Sequence, residues 1–288
     1  MNSKEITDIF NFNFAPFVRP YYQEPLIVSR AEGEYIWDTD GKKYLDAYSG
    51  VATVSLGHCN KRVNDAVKAQ MDNFGHISYI YRFESAANYA KTLLNKCGGD
   101  YCRVFFTNSG SESVDLAIMI ARAATSSESI FTFSEGYHGG TFLTKFSTGL
   151  DNWHASVNAP PEIFYITTPE CVTCRHKDCE TSRCICLNRA CERFEQINKK
   201  GLRPILVVEP VLGVGGIITP PLHYFKMLSE VIDEYNVFLI CDEVQTGFGR
   251  AGGAFFGFQK YGLKPDIVCM GKAIANGYPL GAVVFKEE

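Results

Sequence analysis

The sequence has no long hydrophobic run, no cluster of positive charge and no internal repeat. No stretch approaches the roughly 18 consecutive apolar residues that indicate a transmembrane helix, so no membrane span is predicted. The formal net charge is −4 and the basic residues form no stripe, which argues against nucleic acid as a main partner. The acidic residues are scattered and form no tail.

The N-terminal residues, MNSKEITDIFNFNF, also lack the features of a targeting sequence. They include early acidic residues, no arginine precedes Arg19, and no apolar core is bounded by small residues. Neither a secretory signal nor a transit peptide is predicted, and a cytoplasmic location is expected. We therefore interpret the eleven cysteines as free thiols plus one cluster, and not as the disulfide framework of a secreted protein.

The order of apolar segments indicates an α/β protein. With 288 residues, 46% of them hydrophobic, the chain can bury a substantial core. Residues 31–55 alternate apolar and polar side chains around an Asp-Gly pair at Asp40, which is a hairpin signal. Residues 60–74 and 86–95 have helical spacing. We expect these segments to form a small N-terminal α+β part, residues 1–98.

From Tyr101 onward, short β-rich runs alternate with helical stretches. This pattern predicts a mostly parallel sheet covered on both faces, within a large α/β domain at residues 99–288. The candidate strands are residues 103–106, 129–133, 163–167, 205–209, 237–242, 267–270 and 282–285. The candidate helices between them are residues 112–124, 191–200 and 224–235.

The stretch 238–272 places two ionisable groups at the ends of buried strands. Asp242 ends one apolar run and Lys272 follows the next, and open α/β sheets bind ligands at the carboxyl ends of their strands. A buried carboxylate needs a cationic partner. One arrangement is a direct salt bridge between Asp242 and Lys272. The other is a heteroaromatic cofactor between them, with Asp242 on a protonated ring nitrogen and Lys272 bonded to a carbonyl carbon.

A candidate phosphate site follows the strand at 103–106. The segment TNSGSESVDLAI leads into a helix that we expect to begin near Ser111. The backbone N–H groups of Gly110 and Ser111, with the hydroxyls of Ser109 and Ser111, would face an anion there. The alternative is an ordinary serine N-cap with Glu112 in the first turn.

Two further strand ends carry residues suited to a planar ligand. Tyr137 and His138, in EGYHGG, offer an aromatic face, although a packed turn tyrosine has the same pattern. Glu209 ends the run ILVVE and is either a pocket carboxylate or the polar end of a buried strand. The Gly-rich residues 213–216 are interpreted as a loop. A phosphate site, a stacking aromatic, a ring-nitrogen carboxylate and an imine-forming lysine together describe pyridoxal 5′-phosphate.

Five segments carry a family resemblance: FFTNSGSESVDLAIMIAR, EGYHGGT, VVEPVLGVGG, LICDEVQTGFGRAGGAFFGF and PDIVCMGKAIANGYPLGAV. They resemble the successive motifs of class III pyridoxal-phosphate aminotransferases, a family that includes ornithine, 4-aminobutyrate, β-alanine–pyruvate and alanine–glyoxylate transaminases. The resemblance extends from about Gly33 to the end of the chain. It implies the aspartate-aminotransferase-like fold, which is pyridoxal-phosphate fold type I, and a homodimer.

The resemblance also implies a role for each matching residue. Lys272 would form the Schiff base with the cofactor and Asp242 would pair with its pyridine nitrogen, so these two are the expected catalytic residues. Gly110 and Ser111 would hold the phosphate, and Tyr137 would stack on the ring.

The remaining matches surround the same ring. Gln245 would lie near its phenolic oxygen and Val244 would pack behind it. Glu209 matches the glutamate that shapes the substrate side, and His138 and Arg250 match further motif positions.

The implied activity is the transfer of an amino group from an amino acid or ω-amino compound to a 2-oxo acid such as pyruvate, glyoxylate or 2-oxoglutarate. Lys272 and Asp242 would serve a lyase or an aminomutase equally well, so those reactions stay open at this point. A third interpretation is a catalytically incomplete fragment that binds a metal or a partner through its Cys-rich segment.

Two features depart from the family pattern. The chain ends sixteen residues after Lys272, whereas members of this family continue for well over a hundred more, so we expect the C-terminal domain and its contacts to substrate and partner subunit to be absent. The insert at residues 171–191 contains six cysteines, with a CxxC pair and His176 nearby. It is interpreted first as a thiol-rich surface loop, with zinc binding as the alternative.

Overall fold

The computed structural model describes residues 1–15, 21–154, 162–169 and 185–287. These residues form two compact units, Met1–Ser78 and Tyr79–Glu288. The predicted division into domains near residue 98 stays a prediction. Within the described ranges, no helix is both long and apolar enough to cross a membrane.

The first unit contains a small antiparallel sheet. Its elements are α1 Ser3–Asn13, β1 Val28–Glu32, β2 Tyr35–Asp38, β3 Lys43–Leu45, α2 Ser49–Ala52 and α3 Lys61–Asn73. Strand β2 pairs with both β1 and β3. The Asp38 carboxylate accepts the N–H groups of Asp40 and Lys42, and Gly41 has a φ of +81°, which glycine adopts without steric cost. The predicted antiparallel hairpin around Asp40 is confirmed.

The second unit is built on a seven-stranded sheet with helices in the connections. Its elements are α4 Glu84–Cys97, β4 Arg103–Thr107, α5 Gly110–Thr125, β5 Ile130–Phe133, α6 Phe142–Ser147, β6 Ile163–Ile166, α7 Ile185–Asn198, β7 Ile205–Val208, α8 Leu222–Glu234, β8 Phe238–Asp242, α9 Gly257–Tyr261, β9 Ile267–Met270 and β10 Gly281–Phe285. The strand order is β4-β10-β9-β8-β7-β5-β6. All pairings are parallel except those of β10, which is antiparallel to β4 and β9. The predicted mostly parallel sheet, with a strand at each candidate segment, is confirmed.

Both faces of this sheet are buried. In β7, Ile205 and Val207 face one apolar cluster while Leu206 and Val208 face the other, as the two-residue repeat of a strand requires. One cluster includes the apolar side of α5, and the other includes side chains of α7 and α8. Continuous burial of β7, β8 and β9 explains why these strands are uninterrupted apolar runs in the sequence.

Helix α7 begins at Ile185, six residues before the predicted start at residue 191. Leu187, Ala190, Cys191 and Phe194 are all buried, and their spacing of three and four residues is that of one helix face. Two of the insert's cysteines, Cys186 and Cys191, therefore belong to a core helix. Residues 171–184, the rest of the Cys-rich insert, lie outside the described residues. Within the described part, no group of three or more His, Cys, Asp or Glu residues is placed to hold a metal.

Parallel packing brings several chain segments to one edge of the sheet. The strands β4, β5, β7, β8 and β9 all run in the same direction, because β10 reverses direction on both of its sides. The residues that follow these strands therefore meet beyond their carboxyl ends.

Candidate active site

Nine of the ten predicted cofactor-binding residues line one cavity at the carboxyl edge of the sheet. The lining residues are Gly110, Ser111, Tyr137, His138, Gly139, Glu209, Asp242, Val244, Gln245 and Lys272. The cavity volume is about 200 Å³, below the roughly 300–1,000 Å³ typical of drug-sized ligand sites, so it suits a compact group. The predicted residue outside the lining is Ser109, and the sequence missed Gly139.

Helix α5 presents its N-terminus to this cavity. Ser109 is the N-cap: its Oγ accepts the Glu112 N–H at 3.1 Å, and its hydroxyl also lies 3.2 Å from Glu112 Oε2. Ser111 Oγ accepts the N–H of Gly140 at 3.0 Å, which leaves its hydroxyl hydrogen to donate elsewhere. The first N–H groups of a helix have no acceptor within the helix, and the helix dipole favours an anion there. The serine N-cap and the candidate anion site therefore coexist, with Ser109 serving the cap.

Glycine at position 110 is required by close packing against Val244. A Cβ atom on Gly110 would lie 2.6 Å from Val244 Cγ1 and 2.8 Å from Cγ2, distances that real Cβ atoms do not tolerate. A Cβ on Gly139 would lie 2.4 Å from Ser111 Oγ. The missing side chains let the backbone of α5 and of the 137–140 segment approach whatever occupies the cavity.

Asp242 is held by a buried histidine. Its Oδ2 is 2.8 Å from His138 Nδ1, and its Oδ1 accepts the Val244 N–H at 3.0 Å. His138 Nε2 lies 2.8 Å from Thr132 Oγ1. Burial lowers the pKa of His138, but the hydrogen bond and charge of Asp242, with the charge of Glu209, outweigh it and raise the pKa above its usual value. The Asp242 carboxylate is therefore paired with a buried imidazole whose protonated form it favours.

Lys272 approaches the cavity from the segment after β9. Its Nζ donates to Gln245 Oε1 at 3.2 Å. Burial lowers the pKa of Lys272, while the charges of Asp242 and Glu209 oppose that shift. Among the described ion pairs, Asp242 is joined to His138 and not to Lys272. The direct salt bridge between Asp242 and Lys272, one of the two arrangements open from the sequence, is not formed.

Glu209 occupies the side of the cavity next to Tyr137. Its Oε1 accepts the Tyr137 N–H at 2.8 Å and its Oε2 accepts the Gly213 N–H at 3.1 Å. The Glu209 side chain thus fixes both the aromatic segment and the Gly-rich residues 213–216, which form a turn within the predicted loop. The Tyr137 ring meets Trp153 edge-on, with ring centroids 5.6 Å apart.

The sequence did not predict the hydrogen bonds between Thr132 and His138 and between His138 and Asp242, which hold Asp242 in place. The His138–Asp242 contact joins positions 104 residues apart, so no local pattern announces it. Thr132 sits inside a strand and is fully buried, where its pattern is that of any core threonine. Arg250, a further motif position, is exposed and does not line the cavity.

The donor set fits a flat, anionic, carbonyl-bearing ligand. The α5 N-terminus and Ser111 offer hydrogen bonds to an anionic group, Asp242 offers a carboxylate to a protonated nitrogen, and Lys272 offers an amine whose lowered pKa favours its nucleophilic, uncharged form. Val244 lines the same cavity as these groups. This combination is the one that pyridoxal phosphate requires.

Comparisons with known proteins agree with this geometry. The profile of the class-III aminotransferase family matches residues 17–288. Acetylornithine aminotransferase of Methanosarcina acetivorans is 36% identical over 266 residues, which cover 92% of this chain and 62% of that protein. Mitochondrial alanine–glyoxylate aminotransferase 2 of Homo sapiens is 30% identical over 301 residues, covering 98% of this chain and 59% of that protein.

A solved structure shares the fold over the whole chain. Taurine:2-oxoglutarate aminotransferase from Bifidobacterium kashiwanohense, solved in complex with PLP and glutamate, superposes with a TM-score of 0.86 at 28% identity, covering 100% of this chain and 66% of that one. This likeness confirms the predicted aspartate-aminotransferase-like fold. The chain spans between 59% and 66% of the length of these three proteins. Because the family profile matches all but the first sixteen residues, the chain belongs to the class-III aminotransferase family.

Proposed function

We propose that this protein binds pyridoxal 5′-phosphate and transfers an amino group from an amino acid or amine to a 2-oxo acid. The observation that carries the proposal is the placement of Lys272 and Asp242 in one cavity, the first bonded to Gln245 and the second to buried His138. The three relatives described above are named as aminotransferases, and the pyridoxal phosphate in one of them supports the same cofactor here.

Each side of the cavity has a proposed partner on the cofactor. The N-terminus of α5, with Gly110 and Ser111, would hold the phosphate, since it combines free N–H groups with a favourable dipole. Asp242 would pair with the pyridine nitrogen. Tyr137 would cover one face of the ring and Val244 the other.

The remaining proposed contacts lie at the reacting side. Gln245 would bind the phenolic oxygen, and Glu209 would limit the space available to substrate. His138 would act through Asp242, which it orients by a hydrogen bond. Ser109 serves the site by capping the helix that binds the phosphate.

Pyridoxal phosphate supplies an aldehyde that condenses with amines and a ring that withdraws electrons from the carbon bearing the amino group. Lys272 provides the base: burial lowers the pKa of its amine, so Nζ is uncharged at a lower pH than usual and takes the proton from that substrate carbon. Asp242 would face the pyridine nitrogen and favour its protonated form, and His138 would hold the carboxylate in that orientation through their hydrogen bond.

Reconstitution followed by borohydride reduction tests the proposal. We expect a pyridoxyl label on the peptide containing Lys272, no label on that peptide in Lys272→Ala, and a drop in amino transfer of at least about a hundredfold in that variant, because it lacks the base. Asp242→Asn should keep the label and lose roughly 10²–10³-fold in transfer, because the carboxylate acts on the developing charge.

The matched control is Lys260→Ala. Lys260 is exposed and donates only to the Ala251 carbonyl in the described contacts, so its removal should leave labelling and transfer unchanged. A wild-type chain that takes up no label on Lys272 would refute the proposal.

Product analysis separates this reaction from a lyase or an aminomutase, which the relatives do not favour. Only amino transfer consumes a 2-oxo acid in equal amount to the amine. A screen of amino donors against pyruvate, glyoxylate and 2-oxoglutarate would identify the substrates. We further propose a homodimer from the family resemblance, to be checked by light scattering. We propose a cytoplasmic location from the composition of the N-terminal residues, to be checked by imaging a fluorescent fusion.

A further inference from the structure

Ser113 is a buried polar residue on α5 that the proposed reaction does not use. It has 0% exposure and is not among the residues that line the cavity. Ser113 Oγ lies 2.8 Å from Thr107 Oγ1, 3.1 Å from the Ser109 carbonyl and 3.0 Å from the Met270 carbonyl. One hydroxyl therefore joins the end of β4, the first turn of α5 and the end of β9.

The available hydrogens restrict how these contacts are made. Thr107 and Ser113 have one hydroxyl hydrogen each. Thr107 Oγ1 is also 3.0 Å from the Ser109 carbonyl, so it can donate there or to Ser113. The Met270 carbonyl receives a side-chain hydroxyl only from Ser113 among the described contacts. Every partner is satisfied when Thr107 donates to Ser113 and Ser113 donates to Met270, because the Ser109 carbonyl also accepts the Ser113 N–H at 3.1 Å.

The backbone around this hydroxyl is packed as closely as glycine allows. A Cβ on Gly281 would lie 2.5 Å from Ser113 Oγ and 2.4 Å from Thr107 Oγ1. A Cβ on Gly271 would lie 3.0 Å from the Cα of Gly110. Gly271 directly precedes Lys272, and Gly110 begins α5. The start of the phosphate-binding helix is therefore in contact with the backbone that carries the lysine.

We propose that Ser113 is a positioning residue that sets the distance between the phosphate-binding end of α5 and Lys272, through its hydrogen bond to the Met270 carbonyl. The inference rests on the proposed function, because it concerns a ligand that contacts both groups. Pyridoxal phosphate has its phosphate and its aldehyde at a fixed separation, so both contacts form together only when the protein holds the matching separation.

This role predicts a specific effect on binding. Inorganic phosphate needs only the α5 end, and pyridoxal, which lacks the phosphate, needs only the lysine end and the ring contacts. In Ser113→Ala, the hydroxyl that joins α5 to β9 is lost while both half-sites stay intact. The affinity for pyridoxal phosphate should fall about tenfold, equivalent to about 1.4 kcal/mol, and the affinities for phosphate and for pyridoxal should each change by less than about twofold.

The experiment measures all three dissociation constants on the whole chain, by absorbance for the two aldehydes and by calorimetry for phosphate. Ser147→Ala is the matched control, because Ser147 is also a fully buried helical serine but its Oγ has no hydrogen-bond partner among the described residues. It should leave all three constants unchanged. Ser113→Cys, whose thiol is a weaker donor of similar size, should give an intermediate loss and replaces Ser113→Ala if that variant does not fold.

The outcomes separate the two claims. If wild-type protein binds no pyridoxal phosphate, the proposed function itself fails. If wild type binds it and Ser113→Ala binds it equally well, the positioning role of Ser113 is wrong. A parallel fall in all three affinities would also overturn it, because general loosening weakens each half-site, whereas loss of spacing weakens only the ligand that bridges them.

Discussion

Glu209 is a buried carboxyl group whose pKa is raised in the folded protein, because burial disfavours its charged form. Its side chain is 4% exposed. Burial, together with the charge of Asp242, raises the pKa of Glu209 to about 7, although nearby His138 and the N–H donors of Tyr137 and Gly213 oppose the shift. Between the ordinary carboxyl value and this raised pKa, the folded protein holds a proton that the unfolded chain has released. Raising the pH through that window therefore lowers the free energy of unfolding.

Replacing Glu209 by Gln should flatten this dependence. We expect the wild-type free energy of unfolding to fall between about pH 4.5 and 7 by up to about 1.4 kcal/mol per pH unit for this one proton, and the slope to be smaller in Glu209→Gln. Urea unfolding can be followed by Trp153 fluorescence, with Trp37 replaced by Phe in every variant so that the second unit alone is observed.

The control is Glu230→Gln, because Glu230 is exposed on α8. It should keep the wild-type slope. Glu209→Gln is also expected to lower stability at every pH, since its amide nitrogen would face one of two N–H donors. The slope, and not the absolute stability, is thus the decisive quantity, and an unchanged slope in Glu209→Gln would contradict the pKa shift.

The first turn of α5 packs against the segment after β8 through a close contact between Gly110 and Val244. We expect Gly110→Ala to lower the free energy of unfolding by about 1–3 kcal/mol, as overpacking does, and to weaken cofactor binding because Val244 must move. The new Cβ would meet both Val244 methyl groups at under 3.0 Å but Val244 Cβ at 3.4 Å. The double variant Gly110→Ala/Val244→Ala should therefore recover most of the loss.

Gly140→Ala is the matched control for this pair. A Cβ at Gly140 meets no atom within 4 Å, and its φ lies outside the left-handed region. Stability of this variant should stay within about 0.5 kcal/mol of wild type. Thermal and urea unfolding of the four proteins would decide the matter: if Val244→Ala did not relieve Gly110→Ala, the contact would not be the cause of the strain.

The elements differ in how far the sequence could reveal them. Strands β8 and β9 are buried on both faces, so their continuous apolar runs mark their ends. Asp242 and Lys272, which were singled out at those ends, line one cavity. The predicted start of helix α7 lies six residues C-terminal to the observed one, because the first turns of the helix lie within Cys-rich sequence, where cysteines occupy core positions. Support for the site depends on contacts between distant segments, such as Ser113 with Met270, 157 positions apart. A single sequence has no periodicity that reports such pairs.

The two units differ sharply in burial. No described side chain in Met1–Ser78 is buried, whereas the second unit contains two large apolar clusters. Apolar burial is the main source of folding free energy. Local unfolding of the first unit should therefore require little free energy, although its hairpin and its helix caps are well formed.

Native-state hydrogen exchange should reveal this difference along the chain. We expect amides of β1, β2 and α3 to exchange at least about tenfold faster than those of β7 and β8, because local opening requires less free energy where few apolar contacts are lost. A matched pair of substitutions sharpens the test. Val207→Ala, at a fully buried site in β7, should reduce protection in β7 and β8 by about 2 kcal/mol. Val28→Ala, at a site 49% exposed in β1, should change protection by less than about 0.5 kcal/mol. Equal protection of the two units, or equal effects of the two substitutions, would contradict the conclusion that apolar burial sets the difference in local stability between them.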